Sequence, residues 1–179
     1  QEHSSAASDV YKRQDDVMFV SFFPIFMIKN QFSQDIALQF VTITLVGGVI
    51  CQPLIGILLD RMNKRLLMNI AVFCTFICPI IIGVFLGNFY LVALSCFIWG
   101  GAASGIFSIS LTMLGERYTA SQVAGATAIL VMVFECGSLI GPLIGGRVMD
   151  IFGPIGFIYT IVFFTFIFLM ISIYRTIRN

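Results

Sequence analysis

Long, nearly uncharged apolar blocks are the feature that most constrains how this chain folds. A helix that crosses a bilayer needs about 20 consecutive, mostly apolar residues. Five blocks reach that length: Ile36–Leu59, Leu66–Leu86, Phe89–Leu114, Val123–Met149 and Pro154–Tyr174. Hydrophobic residues make up 59% of the chain and charged residues only 11%, against roughly 25% charged residues in soluble domains. Because soluble helices carry amphipathic stripes rather than apolar blocks, the pattern predicts an all-α membrane protein.

The same composition argues against several classes of function. A net charge of +1 gives no indication of a nucleic-acid partner. All five cysteines lie within apolar blocks, where a thiol behaves as a small hydrophobe, and no His or carboxylate joins the one pair that shares a helix face, Cys74 and Cys78. Hydrolytic triads, phosphate loops and nucleotide fingerprints are absent from the sequence. We therefore expect no metal, no cofactor and no enzymatic activity.

The N-terminal residues differ from the rest of the chain. Ser4–Gln14 resembles the in-frame translation of a common sequencing adapter, which would make residues 1–14 an artefactual, disordered tail; the alternative is a natural polar tail. The apolar block that follows, Val17–Ile28, is too short to span a membrane. We therefore expect a membrane domain over 15–179 that begins inside a truncated helix at about 15–28.

The basic residues predict the orientation of the helices. Cytoplasmic loops carry an excess of Lys and Arg, and six of the eight basic residues after the tail fall on one side of the alternating topology: Arg61, Lys64, Arg65, Arg117, Arg175 and Arg178. Only Lys29 and Arg147 fall on the other side. We expect the 60–65 turn, the 115–121 turn and the C-terminus in the cytoplasm.

If the truncated helix at about 15–28 is counted as the first span, Ile36–Leu59 is the second and Leu66–Leu86 the third. The turn between these two spans carries a recognisable motif. From Gly56 to Arg65 it follows the pattern G-x-x-x-D-R-x-(G/N)-K-R. The run resembles the loop motif of major facilitator superfamily transporters, with Asn63 where those proteins usually carry Gly; an ordinary positive-inside loop is the alternative. Asn tolerates a left-handed backbone, so we expect that conformation at Asn63.

A second motif occurs twice. The pattern G-x-x-x-x-P-L-I-G appears at 48–56 and again at 137–145, which is 89 residues later. Three helices per unit is an odd number, so the two copies would run in opposite directions, as in the inverted repeats of transporters. Chance similarity of apolar segments is the alternative. Residues 137–156 also resemble the eleventh helix of bacterial facilitator permeases, which implies helices seven to twelve of a twelve-helix fold.

Small and polar residues indicate which helices line a pathway, because lipid-facing helices can be uniformly apolar. The third and sixth spans are nearly uniform and are expected to form the outer scaffold. The small-residue run from Gly100 to Gly105 indicates packing more than solute contact. The second, fourth and fifth spans supply the candidate pathway residues: Gln39, Gln52, Trp99, Glu135 and Ser138.

Glu135 is the one acid expected deep within a span. An ionised carboxylate at mid-bilayer costs several kcal/mol unless it is paired or hydrated. It is therefore either a protonatable coupling or substrate-binding site, or a protonated acid bonded to a neighbouring helix. On the same helix Gly137, Gly141 and Gly145 recur at every fourth position and predict a flank for close helix packing.

The family resemblance also implies a gate. In transporters of this kind ion pairs brace the two cytoplasmic turns, and the corresponding residues here are Gly56, Asp60, Arg61, Lys64, Arg65 and Glu116. We expect Arg61 or Arg65 to lie near Glu116, and Asp60 to need a cationic partner.

These observations together predict the C-terminal half of a secondary transporter. It would move a small solute, by proton-coupled uptake or efflux, through rocking of two six-helix bundles in a bacterial cytoplasmic membrane. Its partners would be the solute, the bilayer and the missing N-terminal half, which should leave the second and fifth helices unusually exposed. The alternatives are a membrane-embedded enzyme, a structural subunit, or a self-sufficient six-helix unit that acts as a homodimer.

Overall fold

The computed structural model describes residues 22–178, and the regular structure among them is entirely helical. Residues 22–29 belong to α1, which is followed by α2 (Gln34–Arg61), α3 (Lys64–Val84), α4 (Phe89–Arg117), α5 (Ala120–Phe152) and α6 (Gly156–Arg178). Helices α2 to α6 are each long and apolar enough to cross a membrane. The all-α membrane fold is thus confirmed, whereas the expected tail and the start of the first helix lie outside the described residues.

Several helices extend beyond their apolar blocks because polar caps lie outside those blocks. Ser33 accepts a hydrogen bond from the backbone N–H of Ile36 at 3.4 Å, so α2 begins before its first apolar run. Thr119 N–H donates to the side chain of Gln122 at 3.5 Å, so α5 begins three residues earlier than its block. Hydrophobicity sets the length of the membrane-spanning part of a helix, and capping residues set where the helix begins and ends.

Asn63 does not adopt the left-handed backbone expected of it. Its φ is −62°, and its side chain caps α3 by accepting from Arg65 N–H at 2.9 Å. Met62 is extended and reverses the chain, so the turn needs a cap at Asn63 rather than a residue with positive φ. Among the described residues other than glycine, Gln31 alone has a positive φ, at 67°.

The helices pack in a chain of neighbours. Helix α2 packs on α4, α4 on α3, α3 on α6, and α6 on α5, while α4 and α5 also touch. The reversals bring the α2–α3 turn, the α4–α5 turn and the end of α6 to one end of the bundle, which we call the basic end. At the opposite end an aromatic core joins Phe23 and Phe26 of α1 to Phe157 of α6.

Glycines allow the closest helix crossing, between α2 and α4. A Cβ on Gly47 would overlap the carbonyl of Phe97, and a Cβ on Gly100 would overlap the carbonyl of Thr44. A Cβ on Gly105 would lie 2.6 Å from Ile55 Cδ1. Small residues are what let membrane helices approach this closely. The expected packing role of the run from Gly100 to Gly105 is therefore confirmed.

The glycine flank predicted on α5 has less support within this chain. No atom lies within 4 Å of a Cβ placed on Gly137, and a Cβ on Gly145 would lie 3.9 Å from Thr160 of α6. The close packing expected of Gly137, Gly141 and Gly145 stays a prediction.

Exposure follows the sequence prediction most clearly at α5. None of its most apolar 18-residue stretch is buried, while the share is 17% for α2, 22% for α6 and 39% for α3 and α4. Val49 on α2 and Leu143 on α5 are 73% and 76% exposed. Helices α2 and α5, which do not pack on each other, thus carry large apolar surfaces without cover from the described chain.

Candidate transport pathway and gate

The two turns at the basic end are linked by an ion pair. The ammonium of Lys64, at the start of α3, donates to Glu116 in the last turn of α4. The expectation that the turns meet is confirmed, but the expected cation is wrong: it is Lys64 rather than Arg61 or Arg65. Because α3 and α4 are packed antiparallel neighbours, the first residue of α3 faces the end of α4; Arg65, the next residue, is rotated about 100° from Lys64 around the helix axis.

The other residues of the loop motif remain open to a further partner. Asp60, Arg61 and Arg65 are exposed, and a Cβ on Gly56 would meet nothing within 4 Å. Lys64–Glu116 is the one ion pair among the described residues. The cationic partner expected for Asp60 therefore does not come from this part of the chain.

We expect the Lys64–Glu116 pair to bias a gate rather than to hold the fold. Its side chains are 28% and 58% exposed, and exposed ion pairs contribute about 0–1 kcal/mol. Lys64→Gln should therefore lower the free energy of unfolding by less than about 1 kcal/mol while it changes the rate of gate opening. Chemical unfolding and a fluorescence assay of gate distance measure the two effects. Loss of more than this stability, or an unchanged opening rate, would contradict the gating role.

A polar seam runs along the crossing of α2 and α4. Ser108 donates to the side-chain oxygen of Gln52 at 3.1 Å, and Ser104 lies 3.2 Å from the carbonyl oxygen of Gly48. Gln52 is exposed, and its NH₂ group has no partner in the described part of the chain. The seam therefore offers two N–H donors to a carbonyl, hydroxyl or carboxylate of a solute.

The structure does not bring the other predicted pathway residues to this seam. Trp99 is half-buried against Phe23, with ring centroids 6.3 Å apart, and lies about 180° around α4 from Ser108. Gln39 is exposed close to the start of α2. Measured from the basic ends of their helices, Gln52, Glu135 and Trp99 lie at depths of about 14, 22 and 27 Å.

Glu135 is half-buried near the middle of α5. Its carboxylate has no hydrogen bond or ion pair within the described residues. The preceding residue, Phe134, packs on Phe107 of α4 with ring centroids 5.5 Å apart. Gly146, about 20° from Glu135 around the helix, would place a Cβ 3.8 Å from Phe22. Glu135 therefore lies on the same flank of α5 as Gly146, and the side chain of the nearby Ser138 lies outside the described residues.

Sequence reasoning did not assign Ser104 and Ser108 to the pathway, and it assigned Lys64 to the gate without identifying it as the partner of Glu116. Serines spaced four apart on one helix indicate a polar stripe, and Gln52 on a neighbouring helix is a matching acceptor. The sequence therefore contained both halves of the polar seam. Which faces of α2 and α4 meet depends on the rotation of each helix about its axis, and that rotation is known only from the packed structure.

This geometry defines a class of protein. Among the described residues, five membrane-length helices carry a polar seam and a charged link between two turns, which is the architecture of a helical membrane transporter. A family model described as Major Facilitator Superfamily matches residues 14–178, and the chain belongs to that family.

Two curated relatives are similar to this chain. An uncharacterized MFS-type transporter of Bacillus subtilis is 24% identical over 139 residues, which are 78% of this chain and 35% of the relative. An uncharacterized MFS-type transporter of Yersinia enterocolitica is 31% identical over 104 residues, which are 58% of this chain and 26% of the relative. The chain thus spans about a third or less of the curated relatives it matches. No solved structure matches it significantly.

Proposed function

We propose that this chain is the C-terminal half of a secondary active transporter that moves a small solute by alternating access. The exposed Gln52 on the polar seam of α2 and α4 carries the proposal, because an exposed polar group within a membrane-spanning helix indicates contact with water or a solute rather than with lipid. In transporters of this architecture the substrate lies near mid-membrane, where two repeats meet. Family membership supports transport over the enzyme and structural-subunit alternatives.

The basic end supports the proposed orientation. Arg61, Lys64, Arg65 and Arg117 belong to the two turns there, α6 ends there, and Lys29 and Arg147 lie toward the opposite end. The positive-inside bias then places the basic end, and with it the C-terminus, in the cytoplasm. The membrane would be the cytoplasmic membrane of a bacterium, since both relatives are bacterial proteins.

The decisive experiment compares an aqueous face with a lipid face. In the complete transporter, with its native cysteines replaced, Gln52→Cys should react with a membrane-impermeant maleimide. Phe73→Cys is the matched control, because Phe73 is exposed to a similar extent but lies on α3, the expected outer scaffold. We expect Gln52→Cys to react about tenfold faster or more, since the reactive thiolate forms in water and not in hydrocarbon.

Solute protection completes the test. A transported solute should slow the labelling of Gln52→Cys and leave that of Phe73→Cys unchanged. Equal labelling of both positions would overturn the pathway. Transport by this chain alone, together with disulfide cross-linking of two Val49→Cys copies, would favour the six-helix homodimer instead.

A further inference from the structure

A cavity of about 890 Å³ lies at the basic end, between the last turns of α4 and α6 and beside the start of α3. Its volume is within the range of about 300–1,000 Å³ that is typical of ligand sites. A smaller cavity of about 420 Å³ adjoins it and shares Asn63, Arg65 and Thr176. Arg65 therefore borders both spaces.

The lining of the larger cavity is basic. Lys64, Arg65 and Arg117 contribute three positive charges and Glu116 one negative charge, which leaves a net +2. Lys64 is already paired with Glu116. The guanidinium groups of Arg65 and Arg117 have no acidic partner among the described residues, so they are the charges available to an incoming anion.

The hydroxyl groups in the lining are already used as donors. Ser172 donates to the side-chain oxygen of Asn69 at 2.5 Å, and Thr176 donates to the backbone oxygen of Ser172 at 3.0 Å. Ser110 donates to the carbonyl of Ile106 at 2.7 Å. An anion would therefore be recognised by the arginines, whose planar groups bind phosphate with two parallel hydrogen bonds.

The remaining wall of the cavity is apolar. Met68, Met113, Phe168 and Ile171 line it, and Met113 and Phe168 continue into the membrane-spanning parts of α4 and α6. A soluble anion would gain nothing from this wall, whereas an amphiphile would bury its chain against it. Basic pockets between helices at a membrane surface suit anionic lipid headgroups.

We infer that this cavity binds an anionic phospholipid, with its phosphate on Arg65 and Arg117 and an acyl chain along Met113 and Phe168. The inference depends on the helices spanning a membrane and not on which solute is transported. It assigns a ligand to a surface on α3, α4 and α6, away from the polar seam of Gln52.

Native mass spectrometry of the complete purified transporter, offered equal amounts of phosphatidylglycerol and phosphatidylcholine, tests the inference. The double variant Arg65→Gln/Arg117→Gln should lose about 30-fold in preference for phosphatidylglycerol, which corresponds to about a fivefold loss for each cation removed. Lys29→Gln/Arg147→Gln removes the same charge from the opposite end and should leave the preference unchanged.

Two further measurements separate a lipid site from its alternatives. Met113→Trp keeps every charge but fills the apolar wall, and should weaken phosphatidylglycerol binding several-fold while circular dichroism shows an intact helical fold. Glycerol phosphate, the soluble headgroup, should fail to displace the lipid at equal concentration. Equal losses in the two double variants, unchanged binding by Met113→Trp, or displacement by glycerol phosphate would each overturn the inference.

Discussion

Replacement of Gly100 by leucine is expected to prevent the bundle from folding. The Cβ alone would overlap the carbonyl of Thr44 and lie 2.9 Å from Thr44 Cγ2, so neither a rotamer change nor a flexible neighbour can relieve the clash. Helices α2 and α4 would have to separate along their whole crossing, which also depends on Gly47 and Gly105. Overpacking in an adaptable core costs about 1–3 kcal/mol, and a clash with backbone should exceed that range.

The membrane environment increases the destabilisation expected from Gly100→Leu. Lipid tails are as apolar as side chains, so packing rather than a hydrophobic force holds membrane helices together. A domain with a total stability of about 5–15 kcal/mol would therefore lose much of its folded population. Size-exclusion profiles in mild detergent and unfolding in a denaturing detergent measure that loss.

Matched glycines provide the controls. A Cβ on Gly125 or on Gly137 would meet nothing within 4 Å, so Gly125→Leu and Gly137→Leu should leave the isolated chain folded. If the flank of α5 packs on the other half of the transporter, Gly137→Leu should still disrupt the complete protein, and Gly125→Leu should not. Folding of Gly100→Leu as well as Gly125→Leu would show that the α2–α4 crossing is wrong.

The apolar blocks determined which helices exist and which way they run. A bilayer sets the length of a span. Because the basic turns follow every second span, the sequence also predicted the topology, in which the C-terminal ends of α2, α4 and α6 lie at the same end of the bundle. The block around Val123–Met149 located α5 within three residues at each end. The exact first and last residues of α5 depend on capping residues such as Thr119, which a hydrophobicity pattern does not detect.

The contacts between helices were less predictable, because they depend on rotation about each helix axis. The charges at 60–65 and Glu116 predicted an ion pair, but the partner could not be chosen without knowing that the start of α3 faces the end of α4. In the same way, the sequence analysis assigned both Gln39 and Gln52 to the pathway because both are polar. They are 13 positions apart on α2, which places them on different flanks of the helix and at different depths in the membrane.

Replacement of the carboxyl group of Glu135 by an amide is expected to have the largest effect on transport. The chain gives this acid no partner among its described residues. An unpaired carboxylate at this depth is tolerated when water reaches it or when it carries a proton. Alternation between those two conditions, as the cavity opens to one side and then the other, is what a proton-coupled transporter needs.

Glu135→Gln retains the size and hydrogen-bonding capacity of the side chain but cannot exchange a proton. In the complete transporter we expect normal expression and continued exchange of solute across the membrane, because exchange needs no net proton movement. Concentrative transport should be lost. One proton moved across 100 mV supplies about 2.3 kcal/mol, so the steady-state solute gradient should fall by about 50-fold for each 100 mV of driving force.

Reconstituted vesicles with an imposed pH gradient separate these outcomes. The native transporter should accumulate solute, or expel it, in proportion to the gradient, and Glu135→Gln should equilibrate the solute at every gradient. Asp35→Asn is the matched control, since it neutralises an exposed acid at the start of α2 and should leave accumulation intact. Unchanged accumulation and an unchanged pH dependence in Glu135→Gln would exclude the coupling role and leave Glu135 as a structural acid. If exchange is lost together with accumulation, Glu135 contacts the solute itself, and the proton must be carried elsewhere in the complete protein.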